Sequence, residues 1–189
     1  MSEMKRLRRL GEKDFAEVWS IMEQSFPLDE RRTMEGQRAL LKNPCYRLYG
    51  YRRDGMLAAF FAVWELENLA FIEHFAVDGR CRNGGLGAGL LQELLQGLGV
   101  QTVLEVELPD YEMAVRRIHF YERNGFVLNP YEDYVQPALS AEAKDLPLRI
   151  MTYPSGVSRE GYEGIRQQLY RKVYGSDAVY RSMVSSTGQ

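Results

Sequence analysis

The first part of the chain carries a helical pattern of hydrophobic positions. Residues 12–26 place apolar side chains at the spacing of an amphipathic α-helix, at Phe15, Val18, Trp19 and Met22. Residues 29–41 predict a second helix, which ends before Pro44 because proline cannot continue a helix. Residues 4–10 form a segment too short for its pattern to assign a structure.

The pattern then changes from helical to extended. Residues 45–53 and 56–65 are two strand-like runs around Asp54-Gly55, and an Asp-Gly pair between apolar runs is a strong signal for a β-hairpin. Residues 69–77 form a third run of the same kind. Three consecutive strands joined by short turns predict an antiparallel meander.

The third strand carries a carboxylate within an apolar row. Because side chains alternate between the two faces of a strand, one face is predicted to hold Leu69, Phe71, Glu73, Phe75 and Val77. Glu73 interrupts this row, and partial burial there is expected to raise the pKa of its carboxyl group. His74 is predicted to point to the opposite face, where packing in the core is the favoured interpretation.

A glycine-rich turn and a leucine-rich helix open the second half of the chain. The turn spans residues 82–89, and the helical stripe after it consists of Leu90, Leu91, Leu94, Leu95 and Leu98. The remaining predicted elements are a strand over 103–108, a helix over 113–123, strands over 126–134 and 146–153, and a helix over 158–174. On the first of these strands, Glu105 and Glu107 are predicted to share a face with Val103.

Composition and charge narrow the class of protein. The 189 residues are 45% hydrophobic and 26% charged, which is the balance of an ordinary globular domain. A net charge of −2 lacks the basic footprint of a nucleic-acid-binding protein. The two cysteines cannot build a disulfide framework, and no cysteine or histidine spacing indicates a metal site. Without a membrane-spanning run or a signal peptide, a cytoplasmic protein with no membrane partner is expected.

The glycine-rich turn has the character of an anion-binding site. Backbone N–H groups converge at a helix N-terminus, and glycine removes the side chains that would keep a phosphate away. Spacing excludes two phosphate-binding motifs. Gly87 is not followed by the lysine of a P-loop, and Leu90 stands where a dinucleotide-binding motif needs its third glycine. A flexible loop that binds nothing is the remaining alternative.

Two motifs follow each other along the chain. The first is the Arg-x-x-Gly-x-Gly run at residues 82–87, directly after a strand. The second is the Phe-Tyr-Glu-Arg-Asn-Gly-Phe run at residues 120–126. In this order they resemble the pyrophosphate loop and the FYxxxGF signature of the GNAT superfamily of N-acetyltransferases. The strand at residues 72–77 is similar to the family's fourth strand. The resemblance covers about residues 4–153.

The resemblance implies an α/β fold with one mixed, mostly antiparallel sheet flanked by helices, in which a bulge splays the fourth strand from the fifth. Residues 1–155 would form the acetyl-CoA-dependent N-acetyltransferase domain, and residues 156–189 a C-terminal helical extension packed on or beside it. The implied activity is transfer of acetyl from acetyl-CoA to a primary amine of a small molecule or peptide, by direct attack in a ternary complex. A non-catalytic acyl-CoA-binding or sensing domain is the alternative, and a homodimer is left open.

The resemblance also implies which residues contact acetyl-CoA. Loop amides would hold the pyrophosphate, and backbone groups of the fourth strand would pair with the pantetheine arm and the thioester carbonyl. The residues so implied are Arg82, Asn83, Gly84, Gly85, Leu86, Gly87 and Ala88 in the loop and Phe75, Ala76 and Val77 in the strand. Tyr121 is the implied proton donor to the departing CoA thiolate, and no metal is implied.

The proton acceptor is predicted from the acidic residues on the strands. An amine must lose a proton as it attacks a thioester, and a carboxylate or a water chain commonly accepts it. Glu73 is the favoured candidate, and Glu65, Glu105 and Glu107 are the alternatives. The other interpretation of Glu73 is a structural carboxylate that is satisfied by an arginine.

The chain departs from the family pattern on the helix that carries Tyr121. Many members have Asn and Ala seven and four residues before this tyrosine, where the present chain has Ala114 and Arg117. The contact of that Asn with the CoA arm is therefore not carried over. Arg117 is expected to be solvated, and contact with a phosphate is the alternative. By the same resemblance, the acceptor site lies between residues 26–32 and the aromatic stretch at 131–134.

Overall fold

The computed structural model of the chain describes residues 6–82 and 84–175. In these residues the strands are β1 (Arg8–Leu10), β2 (Tyr46–Arg53), β3 (Met56–Glu65), β4 (Leu69–Val77), β5 (Gln101–Glu107), β6 (Val127–Leu128), β7 (Tyr134–Gln136) and β8 (Leu146–Tyr153). The helices are α1 (Phe15–Ser25), α2 (Met34–Ala39), α3 (Leu86–Leu98), α4 (Glu112–Arg123) and α5 (Arg159–Gln168), and α5 continues as a π-type turn over Leu169–Val173.

The strands form one mixed sheet in the order β1-β2-β3-β4-β5-β8-β6, and β7 also pairs with β8. Neighbouring strands are antiparallel except β4 and β5, which run parallel. Two parallel neighbours need a crossover connection, and α3 provides it. The predicted mixed, mostly antiparallel sheet with flanking helices is therefore confirmed.

The hairpin between β2 and β3 turns at the predicted Asp-Gly pair. Asp54 and Gly55 have φ angles of 50° and 81°, the left-handed values of the tight turns that favour this dipeptide. Arg53 pairs with Met56 directly across the turn, and the pairing extends to Tyr46 and Trp64. The predicted meander of β2, β3 and β4 is confirmed.

A β-bulge at Glu73 interrupts the pairing of β4 with β3. His74 lies opposite Ala62 and Ile72 lies opposite Val63, so that Glu73 is an extra residue on β4. The extra residue moves the side chains that follow it to the other face of the sheet. The alternation predicted from the sequence assumed a regular strand and therefore holds only up to Glu73.

Two predictions about β4 are wrong because of this bulge. Phe75 and Val77 pack in the core cluster opposite to that of Leu69 and Phe71, whereas the sequence pattern placed all four on one face. His74 lies on the same side as Glu73, with 3.8 Å between its Nδ1 and Glu73 Oε2, whereas the pattern placed the two on opposite faces.

The two parallel strands separate just before the bulge. Their pairing begins at Leu69 and Gln101 and ends at Ile72 and Leu104. Beyond these positions β4 continues paired with β3, and β5 continues paired with β8. A gap therefore opens in the middle of the sheet between residues 73–77 and residues 105–107.

Helices cover both faces of the sheet and form two cores. One core contains buried side chains of α1 and of the C-terminal helix, such as Met22, Ile165 and Leu169, packed against Phe60. The other contains the leucines of α3 and residues of α4, packed against Phe61 and Leu104. Strand β3 is buried on both faces, which explains its unbroken apolar run.

Two predicted elements are shorter than expected. Within residues 29–41 only Met34–Ala39 is an α-helix, because Thr33 is its N-cap and accepts a hydrogen bond from the Gly36 N–H. Within residues 126–134 only Val127–Leu128 and the first residue of β7 are extended. Turn-forming residues such as Asn129 and Pro130 separate these two short strands.

The C-terminal helix packs on the same sheet as the rest of the chain. Ser158 caps α5 by accepting a hydrogen bond from the Gly161 N–H, and Tyr162 is fully buried in the first core. Residues 176–189 of the predicted extension lie outside the described residues, and its division from residues 1–155 stays a prediction. Among the described residues, no helix is long and apolar enough to cross a membrane.

Candidate active site

The glycine-rich turn leads from the end of β4 into α3. Gly84 and Gly85 have φ angles of 78° and 73°, so that two consecutive residues adopt the left-handed conformation that glycine tolerates best. Gly85 is the N-cap of α3, and the Arg82 Nε donates to the carbonyl of Val77 at 3.1 Å. Asn83 lies outside the described residues.

A groove of about 420 Å³ lies at the N-terminus of α3. It is lined by the predicted loop residues Arg82, Gly85, Leu86, Gly87 and Ala88, together with Val77, Cys81, Phe120, Arg123 and Asn124. The first amide groups of a helix have no partner within the helix and carry a partial positive charge. With two arginine side chains beside them, they form a site suited to a phosphate group.

The two sequence motifs are joined at this groove. The Gln92 side chain on α3 donates to the carbonyl of Asn124 at 2.9 Å, and the Asn124 side chain donates to the carbonyl of Phe120 at 2.8 Å. Gly125, with a φ of 92°, then turns the chain out of α4. The Asn-Gly pair therefore fixes α4 against the helix that begins at the glycine-rich turn.

A larger cleft of about 590 Å³ occupies the gap between β4 and β5. Its walls include the predicted strand residues Phe75, Ala76 and Val77 and the predicted catalytic residues Glu73 and Tyr121. Val77, Arg82, Gly87 and Phe120 line both this cleft and the groove at α3. The groove and the cleft therefore adjoin each other, one at the glycine-rich turn and the other in the middle of the sheet.

Glu73 is a buried carboxylate with both oxygens engaged. Its side chain is 3% exposed, Oε1 accepts from Arg32 Nη1 at 2.6 Å, and Oε2 accepts from Trp64 Nε1 at 3.1 Å. Burial acts to raise the pKa of this carboxyl, but the charge of Arg32 and the two hydrogen bonds outweigh it and hold the pKa below its usual value. The expected raised pKa is therefore wrong, and the contacts agree with the alternative interpretation of Glu73 as a carboxylate that is satisfied by an arginine.

His74 is held in the wall of the cleft by the loop before α2. Its Nε2 donates to the carbonyl of Glu30 at 2.7 Å, and its ring packs edge-on against Phe26, with 4.7 Å between centroids. Burial lowers the pKa of the imidazole despite the neighbouring Glu73. A neutral ring with its proton on Nε2 fits these contacts.

Glu105 is the carboxylate on the other side of the gap. The hydroxyls of Tyr134 and Tyr174 both donate to its carboxylate, that of Tyr174 at 2.8 Å from Oε1 and 2.9 Å from Oε2. Burial raises the pKa of Glu105 to about 7, although both tyrosine hydrogen bonds act in the opposite direction. Glu105, one of the four acidic residues considered from the sequence, therefore has a pKa close to neutral pH.

The remaining acidic candidates are paired with other side chains. Glu107 forms an ion pair with Arg117, and both residues line the cleft. Arg117 is thus not simply solvated, as was expected, but is 41% exposed and bound to a carboxylate. Glu65 lies at the end of β3, where it accepts a hydrogen bond from the hydroxyl of Tyr49.

Tyr121 projects from α4 into the wall of the cleft. Its ring packs edge-on against Phe120 and Phe126, with centroid distances of 5.2 and 5.5 Å. Burial raises the pKa of its hydroxyl to about 12, so the group keeps its proton at neutral pH. A protonated hydroxyl in this position is chemically able to donate a hydrogen bond or a proton into the cleft.

A solved structure has a similar fold over most of the chain. It is a protein from Bacteroides thetaiotaomicron that is described as an acetyltransferase from the GNAT family. The two sequences are 33% identical, the match covers 92% of this chain and 100% of the other, and the TM-score is 0.82. The chain belongs to the GNAT family. It is therefore an acyltransferase by family.

Other comparisons agree with this family. The family model described as an acetyltransferase (GNAT) domain matches residues 44–128, which include the glycine-rich turn and the motif around Tyr121. Among curated proteins, no significant sequence match to the chain is found.

Two more distant structures share the GNAT fold. The ribosomal-protein-S18-alanine N-acetyltransferase from Escherichia coli is 22% identical, with a TM-score of 0.59 over 82% of this chain and 96% of its own. NAA60 from Arabidopsis thaliana, solved in complex with acetyl-CoA, is 17% identical, with a TM-score of 0.57 over 78% of this chain and 96% of its own.

Sequence reasoning missed four residues of this GNAT site. Arg32 and Trp64 bind Glu73, whereas Tyr134 and Tyr174 bind Glu105. Arg32 and Tyr134 fall within the segments expected to shape the acceptor site, but their partners were not predicted. In the described residues, no group of three or more metal-ligating side chains occurs that could hold a metal ion.

Proposed function

We propose that this GNAT protein transfers an acetyl group from acetyl-CoA to a primary amine of a small molecule or peptide, by direct attack in a ternary complex. The observation that carries the proposal is the groove at the N-terminus of α3, which shares a wall with the cleft between β4 and β5. Tyr121, Glu73 and Glu105 all line this cleft. Acetyl-CoA supplies a thioester carbonyl carbon for the amine to attack.

The glycine-rich turn supplies the groups that a pyrophosphate needs. The amides of residues 85–88 lie at the start of α3, and Arg82 and Arg123 line the same groove. A Cβ on Gly87 would lie 3.4 Å from Phe75 Cζ, in van der Waals contact with a residue of the neighbouring cleft. These features support binding of the CoA phosphates at residues 82–88, as the sequence motif predicts.

The inner edge of β4 supplies backbone groups for the rest of acetyl-CoA. Beyond Ile72, β4 is paired with β3 but has separated from β5. The main-chain groups of residues 73–77 that point toward β5 therefore face the cleft. An extended chain such as pantetheine has amide groups that could pair with such a strand edge, and an N–H aimed at the thioester oxygen would stabilise the charge that develops there.

Glu105 is proposed as the group that accepts the amine proton. A general base works best when its pKa lies near the operating pH, and the pKa of Glu105 is about 7. The charge of Glu73 is already matched by Arg32, and its lowered pKa makes it the weaker base. The predicted role of Glu73 as the base remains untested. Its ion pair with Arg32 favours a structural role in the cleft over proton transfer.

Tyr121 is proposed as the proton donor to the departing thiolate. When the new C–N bond forms and the C–S bond breaks, the sulfur gains negative charge and requires a proton or a hydrogen bond. The Tyr121 hydroxyl keeps its proton at neutral pH, and Tyr121 on α4 lines the cleft. The proton lost by the amine thus passes to Glu105, and the proton gained by the sulfur comes from Tyr121.

The charge of the acceptor side favours a cationic amine. Near the gap, Arg32 is paired with Glu73, Arg117 with Glu107 and Arg116 with Glu112. Arg82 also lines the cleft, but at the end that adjoins the glycine-rich turn. Glu30 and Glu105 add two further carboxyl groups to the same cleft, and burial raises the pKa of both. An ammonium group would therefore enter a site whose charge is negative once these groups ionise.

A thiol-release screen over amines and peptides tests the proposal. The parent protein is mixed with acetyl-CoA, and free CoA is measured with and without each acceptor. Acceptor-dependent release together with an acetylated product confirmed by mass spectrometry is the expected result. Tight binding of acetyl-CoA by calorimetry with no release for any acceptor would instead support the binding or sensing domain.

A further inference from the structure

The C-terminal end of the described chain contacts Glu105 directly and the ion-pair partner of Glu73. The carbonyl of Val173 accepts a hydrogen bond from Arg32 Nη2 at 3.3 Å, and Arg32 is the ion-pair partner of Glu73. The next residue, Tyr174, donates its hydroxyl to Glu105. Of these two consecutive residues after α5, Tyr174 therefore reaches β5 directly, and Val173 is linked to β4 through Arg32.

The position of Tyr174 is set by the core and by a local change in the helix. Leu169, Tyr170 and Val173 are buried, which anchors the last turn against the sheet. The N–H of Tyr174 bonds to the carbonyl of Leu169, five residues earlier, so this turn is wider than an α-helical turn. Such π-type turns are rare and occur frequently at functional sites, because they turn a side chain away from the regular helical direction.

Glu105 is held from several elements at once. Tyr134 on β7 and Tyr174 after α5 donate hydrogen bonds to it, while Glu73 on β4 and Arg32 before α2 act on it by charge. A carboxylate has about four lone-pair positions, and two tyrosine hydroxyls leave room for another donor. The carboxylate is therefore fixed in orientation and still able to accept a proton in the cleft.

We propose that Tyr174 is a positioning residue for the acceptor site, which orients the Glu105 carboxylate and favours its charged form before the amine arrives. This inference rests on the proposed function, in which Glu105 takes the amine proton. In that step the proton moves from the amine nitrogen to a Glu105 oxygen as the C–N bond forms, and Tyr174 keeps its own proton throughout. The residues after α5 are thus part of the acceptor site as well as of the core.

The test compares Tyr174→Phe with Tyr170→Phe. Tyr170 lies on the same turn, and its hydroxyl donates to the carbonyl of Val135 at 2.8 Å, so its loss controls for a missing tyrosine hydroxyl without touching Glu105. Carboxyl ¹³C NMR of the free protein follows the titration of Glu105, which the Glu105→Gln variant assigns. A hydrogen bond to a charged group is strong enough for its loss to raise the pKa of Glu105 by about one unit.

The expected result is an upward shift of the Glu105 titration in Tyr174→Phe and none in Tyr170→Phe. With an acceptor from the screen, the pKa of the acid limb in the pH profile of kcat/KM should rise by the same amount. If Tyr174→Phe fails to fold, Tyr134→Phe removes the other donor and should give the same direction of shift.

An unchanged titration in folded Tyr174→Phe would overturn the inference. The NMR measurement needs no acceptor, so this failure is distinct from failure of the proposed function, which would show as no transfer to any amine by the parent protein.

Discussion

Glu73 and Glu105 are the first residues beyond the last paired positions of β4 and β5, so the two carboxylates stand on opposite sides of the point where the sheet opens. Their environments differ. Arg32 and Trp64 keep the pKa of Glu73 low, whereas burial raises that of Glu105 to about 7. Two neighbouring acidic groups with pKa values driven apart are suited to different tasks, one held charged and one able to exchange a proton.

Replacement of Glu105 should impair the proton-transfer step. Glu105→Gln keeps the shape of the side chain and removes its ability to take a proton, so turnover should fall by about 10²- to 10⁴-fold. The acid limb of the pH–rate profile, expected near the pKa of Glu105, should disappear. Steady-state kinetics between pH 5.5 and 9, an interval chosen to span this value by roughly two units, would measure both effects. A profile that keeps its acid limb in this variant would exclude Glu105 as the base.

Replacement of Glu73 should act mainly on stability. Glu73→Gln leaves the guanidinium of Arg32 buried without its ion-pair partner, and breaking a buried pair in this way typically costs about 3–5 kcal/mol. Urea unfolding would show the loss, and Glu12→Gln, which breaks an exposed pair with Arg38, should cost much less. If Glu73→Gln were as stable as the parent and its pH–rate profile had lost the acid limb, Glu73 would be the general base.

The raised pKa of Glu105 also predicts how stability depends on pH. Its pKa is about 7 in the folded chain against 4.5 when unperturbed, so the folded state binds more protons between these values. Folding stability from this group is therefore fully present below pH 4.5 and is lost as pH rises through 7, by about 3 kcal/mol in total.

The Glu105→Gln variant makes this contribution visible. The free energy of unfolding of both proteins is measured in urea at pH 5 and at pH 8. Relative to the parent, the variant should be more stable at pH 8 than at pH 5, because its amide does not ionise. Parallel pH dependence of the two proteins would show that Glu105 is not perturbed by burial.

The glycine-rich turn predicts a selective loss of CoA binding. Gly87→Glu places a negative side chain in the groove beside Arg82, where a pyrophosphate would lie, so affinity for CoA should fall by at least about tenfold through steric and charge conflict. Gly164→Glu is a matched control, since Gly164 is exposed on α5 with no atom within 4 Å of an added Cβ. Calorimetry with CoA, ATP and NAD compares the variants, and equal weakening in both would contradict the assignment of the groove.

The sequence was sufficient to predict local features of this fold. The Asp-Gly hairpin, the glycine-rich turn and the helix of Tyr121 each depend on residues that are close together in the chain. The bulge at Glu73 was implied only by family resemblance, and its effect on side-chain direction was missed because one extra residue leaves the hydrophobic pattern nearly unchanged. A regular strand and a bulged strand have the same composition here.

The partners of the two carboxylates could not be predicted from local pattern. Arg32 is 41 residues from Glu73, and Tyr174 is 69 residues from Glu105. Such contacts depend on how the loop before α2 and the end of the C-terminal helix fold over the sheet. The sequence therefore identified the acidic candidates but did not show which of them pairs with an arginine. That pairing determines which carboxyl group has a lowered pKa and which has a raised one.

Replacement of Tyr121 by phenylalanine separates the catalytic role of the hydroxyl from the packing role of the ring. Tyr121→Phe keeps the ring that packs against Phe120 and Phe126 and removes only the hydroxyl. Binding of CoA should stay within a few-fold of the parent, because the groove at α3 is untouched. Turnover should fall by about 10²-fold, since the departing thiolate loses its proton donor.

Tyr153→Phe is the matched control for this experiment. The Tyr153 ring also packs against Phe126, with the same centroid distance of 5.5 Å as that of Tyr121, but Tyr153 is not among the residues that line the cleft in the described chain. Both variants should lose a similar, small amount of stability, and only Tyr121→Phe should lose turnover. If folded Tyr121→Phe turned over within about threefold of the parent, the hydroxyl could not be supplying the 10²-fold contribution typical of a general acid, and Tyr121 would be a core residue alone.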